Sequence, residues 1–329
     1  MNAFDLNDSV KQKLFDFKSK PLYEGWLKKY LDYFLPSCQK EHSSDTVLKF
    51  LVSISENYAA SSLWQAFSCL SKYFLVCLNI NLDDNLLLKD FLKRLNKTYL
   101  PKKSAIFSRN EIDSFLTLSS NVVVNCAFVV GLFGLSRISE MCSLIFENVT
   151  KLDDSFQFFV PQSKTDQAKK GFTFCVVHPY AIHISKYWDL FSVENRTGRF
   201  FRILVNGKPS AKVIGKNSLS KIPYDVAVAL SLPNPESYTG HCLRRTAATL
   251  LAESGVSKIT LKLAGRWKSD TVCDGYIDDS KNSKINIANA LATNNIVNTS
   301  SSSTTTISPK ISKVINISNN TNSTFILHI

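Results

Sequence analysis

The chain has 329 residues, of which 44% are hydrophobic, so it is long enough to bury the cores of two domains and is not disordered throughout. Lysine and arginine exceed aspartate and glutamate by 39 − 27 = 12, and this excess favours a polyanionic partner such as nucleic acid. Charge that only keeps the protein soluble is the plain alternative.

Two further features bear on the compartment. The eight cysteines are scattered singly, without a C-x-x-C pair or a His/Cys cluster at zinc spacing, which favours reduced thiols. The first residues lack the basic segment and apolar run of a secretory signal, and the longest apolar run, Val122 to Leu135, is shorter than a membrane span. We therefore expect an intracellular protein that is neither secreted nor embedded in a membrane.

Residues 1–97 show the apolar spacing of amphipathic helices, and we expect a helical N-terminal domain with four or five of them. The clearest helical stretches are Tyr30 to Phe34, a helix start at Ser43-Ser44-Asp45, Ser61 to Leu78, and Asp84 to Leu95. Residues 98–104 contain Pro101-Lys102-Lys103 and are predicted to form a basic linker to a second domain.

Residues 105–284 are predicted to form this second domain. Helices are expected near Arg109 to Leu118, Asn121 to Phe133 and Ile138 to Phe146, with more after Pro179, Gly215 and Gly240. Ser155 to Val160 and Phe172 to Val177 are predicted to form two strands, with Lys164 near the turn between them. The expected fold class is therefore mainly α, of the α+β type, with one small antiparallel sheet.

Residues 285–329 are rich in Asn, Ser and Thr, including the run from Ser300 to Thr306. Such a segment has little apolar area to offset its ordering entropy, so a flexible tail is predicted. Its end, Phe325 to Ile329, is apolar.

The segment from Gly240 to Tyr276 carries side chains suited to phosphodiester chemistry. His241 and Arg244 are three residues apart, which places an imidazole and a guanidinium on one helix face, where two donors can meet one anion. Trp267 and Tyr276 follow, nine residues apart. Each residue alone has a plain structural explanation, as a surface pair, a core aromatic or an exposed phenol. Their joint order and spacing favour a catalytic site.

This order resembles the tyrosine recombinase family of the lambda-integrase type. The family signature is His-x-x-Arg, then His or Trp, then a nucleophilic Tyr nine residues later. His241, Arg244, Trp267 and Tyr276 match it.

The family pattern also includes an arginine followed three residues later by an acid, and a lysine in a hairpin turn. Arg137 and Glu140 match the first pair, and Lys164 matches the lysine, with Lys169 and Lys170 as nearby rivals. The motif-level resemblance covers roughly Pro101 to Asp279. Residues before this range match only in helical character and position.

The resemblance implies an enzyme that cuts and rejoins DNA through a 3′-phosphotyrosyl intermediate, without a metal or nucleotide cofactor. Tyr276 would be the nucleophile, and Lys164 would protonate the departing 5′ hydroxyl. Arg137 and Arg244 would clamp the phosphate, because a guanidinium stays charged and offers a planar donor fork.

The other site residues have supporting roles in this scheme. His241 would orient the phosphate and assist proton removal from the tyrosine, and Trp267 would add an indole N–H donor. Glu140 would support the first arginine or its helix. Contacts with backbone phosphates or solvent are predicted for four basic residues: Lys102, Lys103, Arg245 and Arg266.

The implied partner is double-stranded DNA, held between a core-binding domain of residues 1–97 and the catalytic domain of residues 105–284. The resemblance also implies a homo-oligomer, as a dimer on one site and a tetramer in a synapse. Two other functions stay open: a catalytically silent DNA-binding protein derived from a mobile element, and a type IB topoisomerase.

Finer details resemble the eukaryotic Crypton-type branch of this family. They are Pro101 to Ser104, the phrase Ile106 to Ile112, and the run Gly-Arg-Trp-Lys-Ser-Asp-Thr-Val that starts at Gly265. A relative of that branch would act in the nucleus of a eukaryote; otherwise a cytoplasmic location is expected.

Overall fold

The computed structural model describes residues 19–37, 41–99, 102–161 and 171–292. The chain divides into two compact units, with the boundary between Lys103 and Ser104. This boundary falls within the segment for which the sequence predicts a linker. Among the described residues, the helices are too short or too polar to cross a lipid bilayer.

The first unit is a set of helices around its own apolar core. They are α1 Lys20–Phe34, α2 Ser44–Ser53, α3 Ala60–Leu78 and α4 Leu86–Thr98. Ser43 and Thr46 form a capping box at the start of α2, and the Asn85 side chain accepts a hydrogen bond from Leu88 N at the start of α4. The predicted helical stretches lie within these helices, apart from small shifts at their ends.

The second unit is mainly helical, as predicted. Its helices are α5 Arg109–Leu118, α6 Val122–Phe133, α7 Ile138–Ser143, α8 Ala181–Trp188, α9 Lys216–Ala229, α10 Cys242–Glu253, α11 Lys258–Gly265, α12 Asp270–Asp279 and α13 Lys281–Ala292. Helix α6 is apolar on all sides and lies in the middle of the core, against α10. Gly131 permits this approach, because a Cβ there would lie 2.6 Å from the Leu243 side chain.

A three-stranded antiparallel sheet consists of β1 Val149–Lys151, β2 Ser155–Val160 and β3 Phe172–Val177, in that order. Strands β2 and β3 have the bounds that the sequence predicts, and Val160 pairs with Phe172 beside their connection. Phe158 of β2 is fully buried, consistent with alternation toward the core. The predicted Lys164 belongs to the connection between the strands and lies outside the described residues, as do Lys169 and Lys170.

The structure adds a second, two-stranded sheet that the sequence analysis did not predict. Its strands are β4 Arg202–Val205 and β5 Lys208–Val213. Asn206 and Gly207 join them, with φ angles of 52° and 74°. An Asn-Gly pair between short strands is a strong hairpin signal, because both residues accept positive φ.

The predicted tail begins too early. Residues 285–292 were expected to be flexible, but they belong to α13. The segment KNSKINIANALA contains good helix formers that the average composition of the tail conceals. Helix α13 also contacts α10, where Asn282 Nδ2 donates to the Glu253 carbonyl at 2.7 Å. The segment after Ala292, including Phe325 to Ile329, lies outside the described residues.

Candidate active site

A tight turn between α6 and α7 precedes Arg137. Gly134 is confined there, because a Cβ would lie 2.3 Å from Ser136 Oγ and 2.8 Å from the Phe174 ring. Leu135 has a left-handed backbone conformation with φ of 41°. Arg137 follows as the N-cap of α7. The turn thus sets the direction from which the Arg137 side chain leaves the backbone.

The Glu140 side chain binds both the backbone and the side chain of Arg137. The carboxylate accepts hydrogen bonds from Arg137 N at 2.9 Å and from Arg137 Nη1 at 2.6 Å. Glu140 is 3% exposed, and the Arg137 side chain is 19% exposed. A carboxylate in the first turn of a helix is also favoured by the helix dipole. The pair therefore orients the Arg137 guanidinium while part of it still reaches solvent.

Arg244 lies on the buried face of α10 and is 6% exposed. Its Nη1 donates to the Leu135 carbonyl and its Nη2 to the Gly265 carbonyl. Burial lowers the pKa of Arg244 to about 10, and the nearby charges of Arg137 and Arg266 act in the same direction. The guanidinium is still charged at neutral pH, and a bound anion would favour that charge. This cluster therefore favours the binding of a phosphate.

Trp267 and Tyr276 are brought together by the turn between α11 and α12. Helix α11 ends at Gly265, and Ser269 caps the start of α12 through the Thr271 N–H. The two rings stack with centroids 5.3 Å apart and planes at 26°. Arg244 Cζ lies 5.2 Å from the centroid of the Trp267 ring. Trp267 therefore contacts both the Tyr276 ring and the Arg244 guanidinium.

The Tyr276 phenol is half-buried within this cluster. Burial raises its pKa above the ordinary value, whereas the charges of Arg244 and Arg245 act in the opposite direction. Because burial is the larger effect, the phenol stays protonated at neutral pH. A nucleophilic Tyr276 would therefore need a base that takes its proton during the attack.

The Arg266 side chain is directed into the protein, whereas the sequence predicts a contact with backbone phosphate or solvent. Its side chain is 13% exposed, and Nη2 lies 3.0 Å from Glu140 Oε2. Its Cζ lies 3.6 Å from the centroid of the Phe172 ring. The sequence shows a basic residue after a glycine, but only the fold shows that its side chain turns inward. The prediction of an outward-facing Arg266 is therefore corrected.

The other predicted residues have mixed surroundings. His241 is exposed and is the N-cap of α10, three residues before Arg244. Arg245 is half-buried, and its Nη1 donates to the Ser104 carbonyl, so this contact is internal rather than to solvent. Lys102 and Lys103 are exposed at the end of the first unit. The structure brings Arg137, Glu140, Arg244, Trp267 and Tyr276 together; Lys164 lies outside its described residues.

Two parts of the site escaped the sequence analysis. The Leu135 carbonyl binds Arg244, and no side-chain pattern marks a backbone acceptor. Gly265 is the second, because a Cβ there would lie 2.2 Å from the Trp267 ring. A glycine two residues before a predicted site aromatic was the available signal for such close packing.

The fold of the chain is that of the tyrosine recombinases and integrases. It is similar to the XerH site-specific recombinase in a post-cleavage complex with a palindromic difH substrate, with a TM-score of 0.61 and 17% identity over 84% of this chain and 80% of that one. The Tn1549 transposon integrase in complex with transposon right end DNA gives a TM-score of 0.60 and 16% identity, over 86% and 96% of the two chains.

A lambda integrase dimer bound to a COC′ core site is also similar, with a TM-score of 0.56 and 17% identity over 83% of this chain and 93% of that one. No protein-family model matches the sequence, and no curated protein sequence matches it. The similarity is therefore one of fold, and a proposal about the chemistry of the site rests also on the geometry of its side chains.

Proposed function

We propose that this protein is a site-specific DNA recombinase or integrase that cleaves and rejoins DNA through a 3′-phosphotyrosyl intermediate. One observation carries the proposal: the half-buried Tyr276 stacks on Trp267, and the Arg244 guanidinium lies over the same Trp267 ring, in a cluster that also contains Arg137. A phenol in a cluster that contains two clamp arginines suits attack on a phosphodiester. The similar solved structures of recombinases and integrases bound to DNA support the same function.

In the proposed cleavage step, the Tyr276 oxygen forms a bond to phosphorus and the bond from phosphorus to the 5′ oxygen breaks. Negative charge develops on the nonbridging oxygens, and preorganised cationic donors stabilise it. Arg137 and Arg244 supply these donors. The Leu135 and Gly265 carbonyls each accept from one terminal nitrogen of Arg244, so the guanidinium is already oriented and would use the second N–H of each nitrogen for the phosphate.

Two proton transfers accompany this step. The phenol must lose its proton, and exposed His241 at the start of α10 is the proposed acceptor, three residues from Arg244. The departing 5′ oxygen must gain a proton, and the family resemblance assigns that role to Lys164. Attack of another 5′ hydroxyl on the phosphotyrosyl bond reverses the step and rejoins the strands.

The proposed partner is double-stranded DNA, which the net charge of +12 would attract through its phosphates. Assembly as dimers on single sites and tetramers on paired sites belongs to the same proposal, as does contact of Lys102 and Lys103 with the DNA backbone. The Crypton-type relationship and a nuclear location stay predictions from sequence resemblance. They do not alter the chemistry proposed for the site.

A covalent-capture experiment tests the function. Randomised duplexes carrying a nick near the cleavage position would be incubated with the protein, and DNA attached to protein after denaturation would be sequenced to obtain the site. The selected duplex should then give a protein–DNA adduct at a 3′ end. Tyr276→Phe should abolish the adduct with nearly unchanged DNA affinity, whereas Tyr224→Phe, at a phenol that is 37% exposed, should keep it.

Arg244→Ala measures the role of the clamp. Loss of one donor to the developing charge should slow cleavage by a factor of about 10² to 10³ or more. Cleavage at the parental rate would show that Arg244 is not part of the clamp. DNA binding without any adduct would favour a silent DNA-binding protein, and relaxation of generic supercoiled DNA without strand exchange would favour a topoisomerase.

A further inference from the structure

The Arg266 guanidinium binds the turn that leads to Arg137. Its Nη1 donates to the Gly134 carbonyl at 2.9 Å, and its Nη2 donates to the Leu135 carbonyl and to Glu140 Oε2, both at 3.0 Å. Two of these acceptors lie three and two residues before Arg137, and the third lies three residues after it. One side chain therefore ties the end of α11 to both sides of the first clamp arginine.

The backbone at both ends of this contact is unusual. Arg266 has φ of 52° and Leu135 has φ of 41°, in the left-handed region that disfavours residues with a side chain. Such conformations persist where surrounding contacts over-determine them, often at functional sites. The Leu135 carbonyl accepts from both Arg266 and Arg244, so one strained turn is shared by two guanidinium groups.

The charged side chains around this turn carry a net positive charge. Arg137, Arg244 and Arg266 interact electrostatically with one another and with Glu140, which gives 3 − 1 = +2 for these four side chains. A phosphodiester and an attacking phenolate together bring two negative charges to the site. Glu140 is shared between Arg137 and Arg266, so removal of either arginine would leave its carboxylate with more influence on the other.

We infer that Arg266 is a positioning residue for DNA cleavage, an inference that rests on the function proposed above. It holds the Gly134–Leu135 turn and neutralises part of the Glu140 charge, so that Arg137 and Arg244 meet the phosphate in a fixed arrangement. Nη1 of Arg266 donates to the Gly134 and Ala264 carbonyls and Nη2 to the Leu135 carbonyl and Glu140, whereas each Nη of Arg244 donates to one carbonyl. Protein acceptors therefore take up both terminal nitrogens of Arg266, which acts through the clamp and not by contact with DNA.

Arg266→Gly is the informative variant, because glycine removes the guanidinium and accepts the positive φ without strain. Single-turnover cleavage of the selected nicked duplex should fall roughly 10- to 100-fold, by analogy with the loss of hydrogen-bond partners that orient metal ligands. The Kd for the same duplex should stay within about threefold of the parental value, because no phosphate contact is lost. Asn79→Gly is the matched control, since Asn79 also ends a helix with positive φ and lies in the first unit.

A double variant separates positioning from a merely structural role. Glu140→Gln alone should also slow cleavage. Combined with Arg266→Gly, Glu140→Gln restores the summed charge at positions 137, 140, 244 and 266 to +2. The double variant should therefore cleave about fivefold or more faster than Arg266→Gly alone. A structural role predicts additive losses instead. Additive losses would overturn the inference.

Two results with Arg266→Gly would overturn the inference. The first is cleavage at the rate of the parent protein. The second is a Kd that rises by the same factor as the cleavage rate falls, since that marks a direct DNA contact. If circular dichroism shows that Arg266→Gly is unfolded, Arg266→Lys replaces it. An ammonium cannot span two carbonyls and a carboxylate, so Arg266→Lys should lose about tenfold or more in cleavage with unchanged Kd, and parental cleavage overturns the inference.

The failure of the proposed function is distinct from these outcomes. A parental protein that binds DNA but forms no adduct with Tyr276 refutes the function, and the inference falls with it. A parental adduct together with an unaffected Arg266→Gly variant refutes the inference alone.

Discussion

Trp267 stacks on Tyr276 with ring centroids 5.3 Å apart, and this contact depends on the absence of a side chain at Gly265. A Cβ at Gly265 would lie 2.2 Å from Trp267 Cζ3, a distance that real Cβ atoms do not occupy. The indole therefore lies over the backbone at the end of α11. The position of the proposed nucleophile is coupled to that backbone through one aromatic ring.

Gly265→Ala should displace the Trp267 ring and loosen its stack with Tyr276. We expect a loss of about 1 to 3 kcal/mol in the free energy of unfolding, as for other overpacked sites, together with slower cleavage. Urea denaturation and single-turnover cleavage measure the two effects. Gly275→Ala is the control, since its Cβ would meet nothing within 4 Å inside α12 and should stabilise the helix by about 0.5 to 1 kcal/mol. Unchanged stability and cleavage in Gly265→Ala would contradict the packing argument.

The Arg137 and Arg244 guanidinium groups should bind an inorganic anion in the absence of DNA. Sulfate at about ten times its Kd would add about 1.4 kcal/mol to the stability of the folded state and raise Tm by a few degrees. Arg244→Met should lose most of this shift, whereas Arg94→Met, which removes an exposed charge from the first unit, should keep it. Differential scanning fluorimetry against chloride of equal ionic strength measures the shift. An equal sulfate response in the parent and Arg244→Met would argue against an anion site at this arginine.

The raised pKa of Tyr276 predicts the absence of phenolate near neutral pH. Because burial shifts the pKa above 10, less than about one-tenth of this side chain should be ionised at pH 9. The unfolded chain loses this proton at a lower pH than the folded protein does, so the contribution of Tyr276 to stability falls as pH rises above 10. Ultraviolet difference spectra between the parent and Tyr276→Phe measure the ionised fraction of Tyr276. An extra ionised tyrosine in the parent at pH 9 or below would contradict this prediction.

A buried tyrosine away from the site gives a test of stability alone. The Tyr187 hydroxyl donates to the Phe200 carbonyl at 2.7 Å and accepts from Arg202 N at 2.9 Å, and its side chain is fully buried. Tyr187→Phe leaves both backbone groups without this partner and should cost about 1 to 3 kcal/mol. Urea denaturation should show this loss, with less than about 0.5 kcal/mol for the exposed Tyr224→Phe. Equal stability of both variants would mean that water replaces the hydroxyl.

Local patterns were sufficient for much of the fold. The bounds of β2 and β3 follow from their short apolar runs on either side of polar residues. The helix predicted from Arg109 to Leu118 has the bounds of α5, where the structure shows a capping box between Ser108 and Glu111. The hairpin of β4 and β5 was missed although Asn206-Gly207 is a local signal for it. The start of the predicted tail was wrong because composition averaged over many residues hides one short helix.

The sequence by itself determined which side chains could take part in phosphodiester chemistry, because spacing along a helix and along the chain is a local property. Tertiary structure decided what each of them touches. Leu135 and Arg244 are 109 positions apart, and Leu135 and Arg266 are 131 apart, yet one carbonyl binds both guanidinium groups. Arg245 and Arg266 both look like surface charges in the sequence, and only the packing of α11 against the turn before α7 makes Arg266 an internal ion-pair partner. Burial and the direction of a side chain depend on contacts between distant segments, so no local pattern contains them.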